Sequence, residues 1–476
     1  MYHQYQLFLA LFIGLQSAIA QSNQNKQKID SIFARYNSNT PGVAVGILKN
    51  GEFVFKKGYG ASNLEYNHLI FENTVFHIAS LSKQFTAFAI HLLESDGLVS
   101  LEDDVHEYLP ELPRYDQVIK VKHLLAHTSG LREQFALLTL AGWNMTDNIT
   151  KNQILKLAFA QTELNFAPGS KLSYCNTGYT LLAEIIERIT GFTLHEFCNK
   201  RIFKPLDMQN TQFYEDNTSI VKNRAYSYEI KNEIYVKKRL NFSFAGATSL
   251  FTTIEDLAKW ANNFDNPIIG SEELIKKFNT PSKLNNNELA IWKVIDQDTL
   301  YHAKGQFIRN YKGVTVYKHG GHDAGYRTFL ARFPDEDLTI ITLSNDEHYE
   351  IFARGMEIAE IYLEDKLVER TKPSKDKPNP TNKEEQYEEN HLTPYIGSYR
   401  SAELDTRYHI VEKENALVVQ HQRLEDIKLK PVAKNRFSGT NSYWLFEIEF
   451  TGSRERITGF NISNFGVKNL SFTKEE

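Results

Sequence analysis

Two hydrophobic periods alternate along this chain. Val43-Ala44-Val45-Gly46-Ile47-Leu48 is a continuous apolar run, followed by Lys49-Asn50-Gly51-Glu52 and then Phe53-Val54-Phe55. An apolar run broken by an Asn-Gly pair predicts a strand, a tight turn and a second strand. From Lys83 the period lengthens. Phe85, Phe88, Ala89, Leu92 and Leu93 fall at i, i+3, i+4, i+7 and i+8, one face of a helix, and Gly97 ends the run as a C-cap. Thr180 to Ile189 repeats the pattern, with Leu181, Leu182, Ile185 and Ile186 on one side and Gly191 closing it. Ile254 to Phe264 predicts a third helix. Later, 328–333 and 338–343 flank Pro334-Asp335-Glu336-Asp337 and predict a hairpin of two sheet strands.

The pattern changes near both ends. Thr371 to Asn390 holds three prolines and nine charged residues with almost nothing apolar, which predicts a solvated linker. Residues 391–476 carry short alternating runs, among them 408–411, 416–419 and 444–450, and predict a small all-β barrel or sandwich. Leu7 to Leu15 is an apolar run too short for a permanent membrane span, and Ala18-Ile19-Ala20 supplies the small residues of a cleavage site. Only His3, and no Lys or Arg, precedes the run. The expected organisation is a signal peptide over 1–20, an α/β domain over 21–370, a linker over 371–390 and an all-β domain over 391–476. The mature chain is expected to be exported, periplasmic or extracellular, without a transmembrane anchor.

Charge and cysteine content narrow the chemistry. The 54 Lys+Arg against 59 Asp+Glu give a formal charge of −5, which argues against nucleic acid as a partner. The two cysteines, Cys175 and Cys198, form at most one bridge. No C-x-x-C and no H-E-x-x-H is present, so the common zinc signatures are missing. Neither is a G-x-S-x-G elbow, a phosphate-binding loop or a G-x-G-x-x-G.

A different arrangement is present. Ser80-Leu81-Ser82-Lys83 opens the first predicted helix, and residues three apart on a helix are neighbours. A helix N-terminus favours an alkoxide and an oxyanion, and a desolvated lysine can lose its proton and act as base. S-x-x-K occurs four times in the chain, so the motif alone means little; a lone instance is usually a cap followed by a solvated lysine. Context separates Ser80 from the other three. Tyr174-Cys175-Asn176 is the only Y-x-N, and His319-Gly320-Gly321 the only H-x-G. Tyrosine serves as a second proton-transfer group if a nearby cation lowers its pKa. Asparagine can donate to a substrate carbonyl, and a glycine pair at a strand edge lets a substrate backbone approach.

The order S-x-x-K, Y-x-N and Lys/His-x-Gly resembles the penicillin-recognising serine hydrolases. The branch it most resembles holds class C β-lactamases, D-Ala-D-Ala carboxypeptidases, D-aminopeptidases and related esterases. The stretches 76–83, 123–131, 168–179 and 320–325 carry the resemblance, which spans about residues 28 to 365. It implies a β-lactamase/transpeptidase-like fold: an antiparallel sheet flanked by helices, plus an all-helical subdomain. It also implies that Ser80 is acylated, that Lys83 and Tyr174 share the proton work, and that Asn176 contacts the substrate amide. His319, Gly320, Gly321 and His322 would line the substrate, with the backbone N–H groups of Ser80 and His322 as oxyanion hole. No metal or organic cofactor is implied. The final domain resembles small barrels appended to secreted members, which often cap or tune the cleft.

One departure bears on substrate. His319 stands where class C β-lactamases carry a lysine, and histidine is only partly charged near neutral pH. That change lowers the expectation of β-lactam hydrolysis. It favours a hydrolase of peptides, peptidoglycan-derived ones included, of D-amino-acid amides or of small esters, with a β-lactamase and a non-catalytic cell-wall or β-lactam-binding protein on the same fold as the alternatives. Loops over 131–162 and 218–241 are expected to shape the pocket. Cys175, inside the Y-x-N motif, reads best as a packed structural thiol.

Overall fold

The structure is a computed structural model that describes residues 21–295, 298–368, 389, 391–441, 445–453 and 455–476. The expected signal peptide, Trp444 and all but Glu389 of the expected linker lie outside the described residues. Eight antiparallel strands form the main sheet, in the order Ile291–Ile295, Asp298–Ala303, Gln306–Tyr311, Val314–Asp323, Tyr326–Phe333, Leu338–Ser344, Val43–Lys49 and Glu52–Tyr59. The first six are a meander. The N-terminal hairpin completes the sheet by setting Val43 opposite Ser344. Val43–Lys49 is covered on both faces, which explains its continuous apolar run. Ile291–Ile295 is a largely exposed edge and gave no clear period.

Helices cover both faces of the sheet. On one, Ile29 of a helix over 21–32, Phe33 just past its end, and Ile358 and Ala359 of the helix Ile351–Leu363 pack on Val45, Ile47 and Phe329. On the other lie Ile254–Asn262 and a helical region built around Lys83–Ser95 and Asn176–Thr190. Gly97 and Gly191 adopt φ of 72° and 71° just past their helices, the left-handed cap that glycine permits without strain. Lys83–Ser95 is buried on every side from Lys83 to Leu93, more than an amphipathic stripe requires. Its polar residues are matched inside: the Trp260 indole N–H donates to Gln84 at 2.9 Å and the Thr86 hydroxyl to the Gly246 carbonyl at 2.8 Å.

The C-terminal sheet has nine antiparallel strands from Gly397–Ser401 to Leu470–Lys474. Its two edge strands, Leu424–Lys428 and Lys430–Ala433, follow one another in the chain, so the sheet curls into a nearly closed barrel. Tyr399, Tyr408, Phe446, Phe450, Phe460 and Phe472 fill the interior. The same apolar cluster continues into the helix Gln134–Leu140, so the barrel packs directly on the first domain. This corrects the reading of 131–162 and 218–241 as loops. The first carries Gln134–Leu140 and Lys151–Phe159, the second a hairpin of Tyr228–Lys231 with Ile234–Lys237. Among the described residues no helix is long and apolar enough to cross a membrane.

Candidate active site

Ser80 sits on a short 3-10 turn, Ala79–Ser82, that runs straight into the helix Lys83–Ser95. Ala79, directly before it, has φ of 49°, a left-handed conformation that strains a residue with a side chain. The surroundings hold the turn in place. The Ala79 N–H donates to His77 Nδ1 at 3.1 Å, the Ser82 hydroxyl to the Ala79 carbonyl at 2.6 Å, and the Thr328 hydroxyl to the Ile78 carbonyl at 2.9 Å. Ser80 itself stays partly exposed.

Lys83 is fully buried. Its Nζ lies 3.1 Å from Ser80 Oγ and donates to the Ala247 carbonyl at 2.6 Å, which fixes the amine opposite the hydroxyl. Burial disfavours the ammonium and brings its pKa down to about 7, although Asp323 and Glu133 pull the other way. Tyr174 stands over this pair, with Nζ 4.9 Å from its ring centre. The expectation that a cation lowers the tyrosine pKa is not met. Burial pushes it up, and the neighbouring Ser80 hydroxyl offsets only part of that. Tyr174 is therefore a neutral phenol, and its hydroxyl has no well-formed hydrogen bond among the described residues.

Asn176 begins the helix Asn176–Thr190, and its Nδ2 donates to Glu133 Oε1 at 2.7 Å. Glu133 is buried, and its Oε2 accepts the Ala136 N–H as the N-cap of Gln134–Leu140. Sequence reading missed Glu133, because its link to Asn176 crosses 43 residues. Cys175 is buried with Sγ 3.4 Å from the Leu131 carbonyl, and burial raises its thiol to about 12, so it is a packed thiol and not a nucleophile.

The strand Val314–Asp323 splits its motif between two faces, as a period of two requires. A side chain at Gly321 would put Cβ 2.3 Å from the Ile78 carbonyl oxygen and 2.9 Å from Ala79 Cβ, so this glycine lets the strand meet the turn that carries Ser80. His319 and Asp323 share that face. Gly320 and His322 share the other. A Cβ on Gly320 would meet Ile351 and Phe352, and the His322 ring lies 6.4 Å from that of Phe352, exposed to solvent. Gly320 and the His322 side chain thus lie on the face away from Ser80, and the roles expected of them rest on their backbone. Beyond Lys318, which faces Phe307, the strand outruns Gln306–Tyr311 and has no strand partner on that side among the described residues.

His319 is buried, and its Nδ1 lies 2.6 Å from the Gly320 carbonyl. Burial, with the Lys83 charge adding, brings its pKa down to about 3, so it is neutral and not partly charged. His302, its neighbour in the same aromatic group, is neutral for the same reason, at about 3. Trp292 closes this side, 5.8 Å from the Tyr174 ring. Sequence reading also missed Asp323, four residues past His319 and thus on the same strand face. Among the described residues no group of three or more His, Cys, Asp or Glu is arranged to hold a metal ion.

Known proteins share this architecture. Penicillin-binding protein 4* of Bacillus subtilis (strain 168) is 30% identical over 320 residues, covering 63% of this chain and 67% of that protein. Protein flp of Staphylococcus aureus (strain MRSA252) is 27% identical over 332 residues, covering 68% and 64%. The chain thus spans about two thirds of the length of these curated relatives. The octameric penicillin-binding protein homologue from Pyrococcus abyssi has the same fold, with a TM-score of 0.62 at 20% identity over 96% of this chain and 100% of that one. A D-amino acid amidase from Ochrobactrum anthropi SV3 gives 0.58 at 22% identity over 72% and 98%. Residues 27–362 match the family described as Beta-lactamase, and the chain belongs to that family of serine hydrolases.

Proposed function

We propose that this protein is an exported serine hydrolase that transfers an acyl group from a peptide, a D-amino-acid amide or a small ester to Ser80 and then to water. The observation that carries the reading is the buried Lys83 amine held 3.1 Å from Ser80 Oγ. In acylation the unprotonated Lys83 takes the Ser80 proton and Oγ bonds to the substrate carbonyl carbon. The carbon–nitrogen or carbon–oxygen bond to the leaving group then breaks, and that group receives a proton through the neutral Tyr174 hydroxyl and Lys83. Water repeats the sequence on the acyl-serine, releasing a carboxylic acid and restoring Ser80. The backbone N–H groups of Ser80 and His322 form the proposed oxyanion hole. Asn176, held by Glu133, presents its amide to the substrate.

The names of similar proteins bear on the substrate range: penicillin-binding for two, D-amino acid amidase for another. Export and the boundaries of the signal peptide and linker rest on the sequence pattern. Exposure to a fluorophosphonate followed by intact-mass measurement tests the reading. One adduct on the wild type, absent from Ser80→Ala, is expected; a folded wild type that takes none overturns it.

A further inference from the structure

The strand that meets the nucleophile turn has the opposite charge pattern to a carboxylate-binding site. Past Tyr317, its polar side chains on that face are His319, held neutral, and Asp323, whose carboxyl burial pushes up to about 6. Asp323 stands close to the reacting groups. Its Oδ2 accepts the hydroxyl of Thr248, whose neighbour Ala247 anchors Lys83, and lies 3.9 Å from Nδ1 of His77, the nitrogen that receives the Ala79 N–H. Its side chain keeps 13% exposure, and among the described residues no hydrogen bond engages Oδ1.

The charges facing Asp323 can be accounted for. His77 is fully buried and neutral. Arg327 acts on Asp323 from the next strand, but its guanidinium is engaged by the Ala324 and Tyr326 carbonyls and by Glu347. Lys83 is the remaining cation, and it must be neutral to act as base. Glu133 is a second carboxylate acting on Lys83, with both oxygens already accepting hydrogen bonds. With Lys83 neutral, Asp323 therefore has no free counter-ion among the described residues, and one of its oxygens accepts no hydrogen bond. A carboxylate-bearing substrate meets repulsion there, and an ammonium meets its counter-ion.

We propose that Asp323 is a specificity residue that selects acyl substrates with a free ammonium group near the scissile bond, such as amino-acid or peptide amides and esters with an unblocked amino terminus. The proposal rests on the hydrolase reading above and deepens it. The test compares the free-amine, N-acetyl and N-succinyl forms of D- and L-alanine p-nitroanilide near pH 7. Wild type is expected to favour the free amine over N-acetyl by about tenfold or more in kcat/KM, the size of one charge-assisted hydrogen bond, with N-succinyl slowest. Asp323→Asn is expected to erase that preference, and Asp323→Glu to keep its sign.

Equal or better use of the N-acetyl or N-succinyl form by wild type overturns the proposal, whatever the variants do. So does a wild type that takes the probe but cleaves none of the three. An equal loss on all three substrates in Asp323→Asn also overturns it, since Asp323 would then act only through Lys83. The uncharged fluorophosphonate keeps the two readings apart. Labelling without an ammonium preference defeats this inference alone, and no labelling of wild type defeats the hydrolase reading.

Discussion

The barrel is built from antiparallel strands throughout, the cleft from one such strand set against a turn and two helices, and the two treat buried polar groups differently. In the barrel the inward tyrosines are satisfied. The Tyr395 hydroxyl donates to Asn435, Tyr399 to the Tyr395 carbonyl and Tyr408 to the Leu140 carbonyl. Ser401 Oγ and Asn464 Nδ2 are its exceptions. In the cleft the Tyr174 hydroxyl, His319 Nε2 and both His302 ring nitrogens are buried without partners among the described residues, and Lys83 is buried with its charge disfavoured. Satisfied groups fix a shape, whereas unsatisfied ones are open to a substrate. The two regions meet at Arg132, a fully buried guanidinium that pairs with Glu403 of the barrel at 2.6 Å and donates to the Lys468 carbonyl at 2.9 Å. Next to it the Glu133 N–H donates to the Gly466 carbonyl at 2.9 Å.

Breaking the cleft has the largest expected effect. Ser80→Ala lowers hydrolysis by about 10⁴-fold or more and leaves the melting temperature near wild type, which steady-state assays and thermal melts check together. The junction comes next. Glu403→Ala leaves the buried Arg132 charge only the exposed Glu163 at 3.9 Å as a counter-ion and is expected to cost about 3 kcal/mol in denaturant unfolding. Within the cleft, Gly321→Ala forces Cβ against the Ile78 carbonyl. The expected loss is about 1–3 kcal/mol of stability, together with a fall in kcat as the nucleophile turn shifts.

The pH dependence sharpens the same contrast. Lys83 must be unprotonated, so kcat/KM rises about tenfold per pH unit up to about 7 and then levels. Its folded pKa lies below the ordinary lysine value, so the unfolded chain binds more protons from about 7 to the ordinary lysine value, and the lysine's stability deficit shrinks as pH rises through that window. Asp323, raised to about 6 by burial, has the opposite sign. The folded state holds its proton longer, so stability from this group is lost as pH rises from the ordinary aspartate value to about 6. Unfolding curves of wild type against Lys83→Met, and of wild type against Asp323→Asn, isolate the two. The smallest effect belongs to the barrel. Tyr408→Phe removes one satisfied hydrogen bond and is expected to cost about 1 kcal/mol, with activity unchanged.

Local period and spacing revealed much of this architecture. The helix ends at Gly97 and Gly191, the strand–turn–strand at 43–55 and the alternating C-terminal strands depend on neighbours a few residues apart. Ser80 and Lys83 were legible for that reason, since three residues on one helix turn fix their contact. The two faces of 319–323 follow from a period of two, but which face meets the nucleophile could not be read without knowing what packs on each side.

By itself, then, the sequence determined the strongly periodic elements and the Ser80–Lys83 pairing, which are encoded within a turn or two of chain, and the order of separated motifs that marks the family. Tertiary structure alone decided the partners and the charge states. Glu133 reaches Asn176 across 43 residues and Arg132 reaches Glu403 across 271, distances over which no local pattern carries information. The proton affinities of Lys83, Tyr174, His319 and Asp323 are set by how much water packing removes around them, and that depends on what the whole fold brings together.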